Sequence, residues 1–179
     1  MDPIDIIKDY YRPGTTAYEI LVRHGEQVAE KAIAAAGRVA HLDPDLAFLR
    51  EAAMLHDIGM FLTNSPGIGC FGIHPYVMHG VLGHELLEDR GMPRHGRVCE
   101  RHVGVGISAG DVRLQGLPLP ERDMLPETLE EKIICFADKF FSKNGGQNSE
   151  KSLAQIRKSL GSYGDGKVTR FESWLETFG

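Results

Sequence analysis

The chain has no apolar run approaching the ~20 residues that a membrane span requires. It also lacks a basic-then-apolar beginning of the signal-peptide kind, so a cytoplasmic protein that does not engage a membrane is expected. Cysteine is scarce: Cys70, Cys99 and Cys135 are odd in number, far apart and without CxxC spacing. That excludes a disulfide framework or a thiolate-type structural zinc site and reads as reduced thiols. The formal net charge is −5 and no basic stripe appears, so a nucleic-acid polymer is not an expected partner. Internal repeats, low-complexity tracts and convincing strand alternation are absent as well.

What is present is helical periodicity over nearly the whole length. The spacing predicts a short helix over 3–10 and a long one from Thr15 to Ala36, ended by Gly37. A third, N-capped by Asp43 with Pro44 at its first position, runs to the pair His56-Asp57. Two more, over 76–89 and 93–103, are separated by Gly91, and Pro93 opens the second. Pro126 opens a strongly apolar helix to Lys143, and two amphipathic helices close the chain. Segments 63–75 and 104–125, rich in glycine and proline, read as loops; both are near or above the ~12–15 residues at which loops become uncommon and tend to be functional. The run NGGQNS, 144–149, reads as a linker. The fold class expected is therefore all-α, a bundle of roughly seven to nine helices. One domain over 1–145, with its core at 15–143, would carry a helical extension, 146–179, packed on the same domain. In that extension Phe171, Trp174, Leu175 and Phe178 would cover either this core or a second subunit, so an oligomer stays open.

Several polar residues lie on apolar helix faces. Leu46, Leu49, Ala53 and His56 follow 3-4-3 spacing, and Asp57 joins their edge. Ala17, Leu21, His24 and Val28 share a face, as do Val98, Cys99, His102 and Val103, while Asp138 is surrounded by apolar residues in IICFADKFF. The remaining helix has its apolar face centred near Leu82. At ~100° per residue, His79 lies about 60° from that centre and His84 about 160°, so His79 points inward and His84 to water. His41, His74 and His95 sit near loop ends and read as surface or junction residues. A lone inward histidine is most often a hydrogen-bonded core residue. An inward aspartate is different, because an isolated ionised carboxylate in low dielectric must be paired or metal-bound. Lys139 is the sole basic residue within the apolar run around Asp138, so ion pairs explain the six groups poorly and a shared cation explains them all. Imidazoles and carboxylates without thiolate suit one or two divalent transition-metal ions, iron or manganese foremost, with nickel, cobalt, zinc or magnesium also compatible. Six ligands exceed the need of one catalytic metal with an open position and suit a pair that clamps a phosphoryl transfer.

His24, then His56-Asp57, then Asp138 resembles the H…HD…D signature of the HD-domain superfamily of metal-dependent phosphohydrolases, and His56–Gly59 is its HDIG form. His79 and His102 resemble the additional pair of the binuclear members. The likeness covers about residues 15–143. It implies that His24, His56, Asp57 and Asp138 hold one metal and His79 and His102 a second, with Asp57 bridging. Asp57, His79 and His102 would then be the catalytic set. The implied reaction is hydrolysis of a phosphomonoester, phosphodiester or phosphoanhydride bond in a nucleotide or other small phosphorylated metabolite. A metal-activated hydroxide would be the nucleophile, so no side chain need attack phosphorus. Many relatives carry a lysine directly after HDIG, where this chain has Met60. Lys139 is the first substitute for that substrate contact, with Arg101 and Lys143 behind it. Two other readings use the same residues: a diiron HD-type oxygenase cleaving C–C or C–P bonds, and a degenerate HD domain that serves as a ligand-binding module.

Overall fold

Helix caps set most element boundaries in the computed structural model, which describes residues 2–143 and 150–179. Helix α1 (Pro3–Tyr10) starts on Asp2, whose carboxylate accepts from the Ile4 amide at 2.9 Å. Helix α2 (Thr16–Arg38) starts on Thr15 and runs through Gly37 instead of ending there. An added 3₁₀ turn, Ala40–Leu42, closes on Asp43 in a left-handed conformation at φ 51°. A short polar side chain makes that conformation tolerable for aspartate. Asp43 is thus spent on closing a turn, and the N-cap of α3 (Leu46–Leu55) falls to Asp45, which accepts from the Phe48 amide at 2.9 Å.

A 3₁₀ turn, Ile58–Leu62, follows His56-Asp57. The loop after it contains a small hairpin of β1 (Asn64–Ser65) and β2 (Cys70–Phe71), the only sheet among the described residues. Helices α4 (His79–Asp89) and α5 (Pro93–Arg101) come next. Segment 104–125 is not all loop: Ser108 and Asp111 form a capping box that starts α6 (Ala109–Gln115). Helix α7 (Leu129–Asp138) begins at a Thr128–Glu131 capping box, not at Pro126, and stops before Lys143. Beyond Asp138, the amides of Lys139, Phe140 and Phe141 reach carbonyls only three residues back, which tightens the chain into a turn. Helices α8 (Leu153–Gly161) and α9 (Asp165–Phe178) complete an all-α bundle, with nine α-helices among the described residues. The expected linker at 144–149 lies outside those residues.

Helix α2 contacts α3, α7 and α9. One apolar cluster joins α2, α3 and α7 to α8 and α9, with Phe136 stacked on Phe171 at 5.5 Å between ring centroids. Phe171, Trp174 and Phe178 are buried within it. A second cluster ties α1 to α2, α3 and the 3₁₀ turn, and it includes Met60. Each large side chain fully buried in this way contributes about 1.5–3 kcal/mol. Among the described residues no helix is long and apolar enough to cross a membrane.

Candidate metal centre

The polar residues that converge come mostly from helix ends. His56 directly follows α3, His102 follows α5, Asp138 is the last residue of α7 and His79 the first of α4; only His24 sits inside a helix, α2. The last carbonyls of a helix lack intrahelical partners. The ring Nδ1 of His56 lies 2.6 Å from the Ala53 carbonyl, and that of His102 lies 2.7 Å from the Cys99 carbonyl. His79 Nδ1 makes the equivalent contact to the Tyr76 carbonyl at 2.7 Å. Because a carbonyl only accepts, each of these Nδ1 atoms donates a proton to it, and each ring is left to turn its Nε2 toward the centre. The C-terminal ends of α3, α5 and α7 add partial negative charge there, which favours a cation. Gly59 sets the approach of α4: a Cβ on it would lie 2.3 Å from the His79 carbonyl oxygen and 2.4 Å from the Gly83 amide nitrogen. Only glycine lets the HDIG turn press this closely on the helix that begins with His79.

Asp57, fully buried, stands at the middle. Its Oδ2 is 3.3 Å from His24 Nε2 and 3.1 Å from His56 Nε2. Its Oδ1 is 3.2 Å from His79 Nε2 and 3.3 Å from His102 Nε2. Asp138 Oδ1 lies 2.9 Å from His24 Nε2 and 3.5 Å from His56 Nε2, while the Nε2 atoms of His79 and His102 are 3.2 Å apart. All six sequence-predicted ligand residues are therefore buried together, and each oxygen of Asp57 faces a different pair of histidines. Ligand atoms of His24, His56 and Asp138 lie within 4.8 Å of one another, and so do those of His56, Asp57 and His102. Despite these separations, neither Asp57 oxygen nor His56 Nε2 makes a hydrogen bond of good geometry among the described residues. Acceptors turned on acceptors in a buried space are costly unless a cation joins them.

The protonation states lead to the same conclusion. Burial opposes ionisation of Asp57, but His56 and Lys143 outweigh it and hold the carboxyl well below its ordinary range. Asp138 is likewise held down, by Lys139 and His24 against burial. Burial pushes His102 down to about 4 and also lowers His24, where Lys143 adds to the effect. For His56 burial is outweighed by Asp57 and Asp138, which hold it up at about 9. Protein groups alone thus balance two carboxylates with a proton on His56 and nearby lysine ammonium groups. A divalent cation can take the place of such a proton, so its binding would be coupled to proton release. The nearby thiols do not join the donor set. Cys99 and Cys135 lie 3.4 Å from the carbonyls of Leu55 and His102, and burial pushes Cys135 up to about 12. The donors are nitrogen and oxygen only, which fits a divalent transition metal.

A cleft of about 450 Å³ reaches Asp138 and is lined by Lys139, Lys143, Lys151, Tyr76 and Tyr163. Lys143 Nζ sits 2.7 Å from Asp57 Oδ2, and Lys139 Nζ sits 2.7 Å from Asp138 Oδ2. Arg101, expected as a substrate contact, is corrected. Its guanidinium lies 3.0 Å from Glu131 and 2.9 Å from Glu127, and it does not line the cleft. Glu131 caps α7, so Arg101 braces a helix start. Met60 is fully buried in the apolar cluster, so the position after HDIG does not face the cleft. His84 is also corrected: its side chain is only 14% exposed, packed near Gly96 of α5, with Nε2 2.8 Å from Glu88. His95 is half-buried too, with its ring edge on Phe48 and Nε2 3.3 Å from Glu51. Sequence reasoning missed Lys151, Tyr76 and Tyr163. Tyr76 carried a usable signal, standing three residues before His79 and stacking on its ring at 4.6 Å.

Residues 21–142 match the HD domain family. An uncharacterized protein of Methanocaldococcus jannaschii is 32% identical over 146 residues, 80% of this chain and 79% of that protein. Two tRNA (cytidine(56)-2'-O)-methyltransferases are also similar, from Picrophilus torridus at 34% over 128 residues and from Thermoplasma volcanium at 30% over 166. The matches cover 70% and 84% of this chain but only 33% and 44% of those longer proteins. Among solved structures, the HD domain of the phosphodiesterase PgpH of L. monocytogenes superposes with a TM-score of 0.54 at 19% identity, over 89% of this chain and 90% of that one. That likeness concerns the fold. With a family match over more than half of its length, this chain belongs to the HD domain family.

Proposed function

We propose that the protein is a cytoplasmic metal-dependent phosphohydrolase acting on a small phosphorylated compound, nucleotides included. The observation that carries this reading is Asp57, whose two oxygens face separate histidine pairs with no good hydrogen bond of their own. His24, His56, Asp57 and Asp138 would hold one divalent ion, and His79 and His102 a second that shares Asp57. Such a pair supplies Lewis acidity and lowers the pKa of bound water. The rest of the chemistry falls to the chain. Lys139 and Lys143 border both the carboxylates and the cleft, so their ammonium groups can meet phosphate oxygens. Tyr76 is pushed up to about 12, chiefly by burial, and stays a hydroxyl donor at neutral pH. Burial of the six ligands excludes bulk water and strengthens every charge interaction among them.

A lysine-lined cleft in a chain of net charge −5 concentrates positive potential locally, which favours a small anion over a polymer. Transfer of a methyl group to tRNA belongs by name to relatives of which this chain spans less than half. The test is metal content after anaerobic purification, followed by a panel of phosphate esters with added Mn or Fe(II). The expected result is more than one bound equivalent and release of phosphate from at least one ester. A blank panel on metal-loaded protein would overturn the reading. Oxygen uptake with an organic substrate would reassign the centre to oxygenase chemistry, and metal well below one equivalent would make the chain a ligand-binding module.

A further inference from the structure

A second pocket of about 290 Å³ adjoins the lysine cleft, walled by Val77, Val103, Val105, Ile107, Leu117 and Leu160. The two cavities share Tyr76, Gly104, Leu160 and Tyr163. The cleft reaches Asp138 and the pocket reaches His79, so both open on the same buried centre. Phosphate hydrolysis by itself requires no apolar chamber there. The charged groups beside the pocket are already matched: Lys167 pairs with Asp111 and bonds the Gly106 carbonyl at 2.9 Å. Its walls therefore suit an apolar or aromatic group.

In the cleft, Lys139 and Lys143 each have a carboxylate partner. Lys151, half-buried, has no ion pair among the described residues; burial bears on it most, then the Asp138 carboxylate, then the charges of Lys139 and Lys143. It is the cation there best placed to take a ligand's anionic group. Lys151 and Tyr163 both lie beyond residue 142, outside the family match, so membership of the family does not by itself assign them a role.

Building on the hydrolase reading, we propose that one substrate spans both cavities. Its phosphate lies against Lys151 in the cleft, and its leaving alcohol carries an apolar or aromatic group into the pocket between Tyr76 and Tyr163. The substrate class is a phosphate ester of an aryl-bearing alcohol, a nucleoside presenting its base included, in preference to a compact polar sugar phosphate. Hydrolysis adds water's oxygen to phosphorus, breaks the P–O bond to the alcohol and returns a proton to the alcohol oxygen.

The test is calorimetric binding of two non-hydrolysable probes, phenylphosphonate and methylphosphonate, to metal-loaded protein. Burial of the phenyl group predicts binding about tenfold tighter than for methylphosphonate. Leu117→Trp, which fills the pocket, should abolish that gap and leave methylphosphonate affinity unchanged. Tyr163→Ala, at an exposed rim position where folding is not at risk, should narrow it. Lys151→Gln should weaken both probes about fivefold and preserve the gap. Equal affinities in the wild type, or a gap that survives both pocket variants, would overturn the proposal; unchanged binding in Lys151→Gln would overturn the role of that lysine. A gap without turnover of any ester would refute the hydrolase reading alone, whereas turnover with equal affinities would refute the pocket alone.

Discussion

The centre around Asp57 and the aromatic cluster around Phe136 are equally buried, at 0% and 1% exposure, yet they are built on opposite terms. Phe136 stacks on Phe171 at 5.5 Å and meets Phe140 and Phe178 edge-on at 5.1 and 5.7 Å. Every contact there is complete within the chain. Around Asp57, carboxylate oxygens and imidazole Nε2 atoms face one another at 3.1–3.3 Å; the Lys143 ammonium meets Oδ2 at 2.7 Å, and the facing donors still leave room for a cation from outside. Burial is common to both regions, and satisfiability separates them. The first region stabilises the fold, and the second is held in place by it.

If that separation is real, the two can be broken independently. Asp57→Ala has the largest expected effect: bound metal and hydrolysis should disappear together, with activity down on the order of a thousandfold or more. Far-UV circular dichroism should be unchanged, because the apolar clusters that hold the helices together do not include Asp57. His84→Ala, altering a half-buried histidine paired with Glu88, should leave metal content intact. Loss of helix content in Asp57→Ala would show that the centre is part of the scaffold after all.

Phe171→Ala is the reciprocal change. It empties a fully buried site against Phe136 and should cost about 3–5 kcal/mol in urea unfolding. Metal bound per folded molecule should stay at the wild-type value. A variant that kept its stability but lost its metal would join the two regions and defeat the contrast.

How much of this could be read from the residues depended on the kind of signal. His24, His56, Asp57, His79, His102 and Asp138 were legible because a polar group on an apolar helical face stands out against its neighbours. Helix ends were not. Asp43 and Asp45 are both competent caps, and the choice turned on an extra 3₁₀ turn that periodicity does not announce. Helix α6 has only seven residues, too few for a periodic pattern. Lys139 stands next to Asp138 along the chain, but the turn at 139–141 carries Lys143 back onto Asp57, which local spacing does not reveal. Arg101 is taken up by Glu127 and Glu131, partners too far along the chain for spacing to reveal. Lys151 and Tyr163 carry no motif and acquire meaning only as walls of a cavity.

A third arrangement, partly exposed and self-satisfied, lies between these extremes and gives the smallest expected effect. Lys167 of α9 pairs with Asp111 of α6 and bonds the Gly106 carbonyl, fastening the segment that follows His102. Burial raises the Asp111 pKa, but Lys167 and Ser108 outweigh it and hold the carboxyl below its ordinary value. A carboxyl depressed in the folded state stabilises above the unfolded pKa of about 3.9, and that contribution is lost as pH falls through the lower folded value. Lys167→Met should therefore cost at most about 1 kcal/mol at pH 7, where the pair is fully charged. As pH falls below the ordinary carboxylate range the difference from wild type should shrink without vanishing, because the bond to the Gly106 carbonyl does not titrate. Urea unfolding of both proteins across that range measures it. A difference that widened in acid would mean that Asp111 gains its stability from a proton, and this small site would then resemble the frustrated centre instead of the satisfied core.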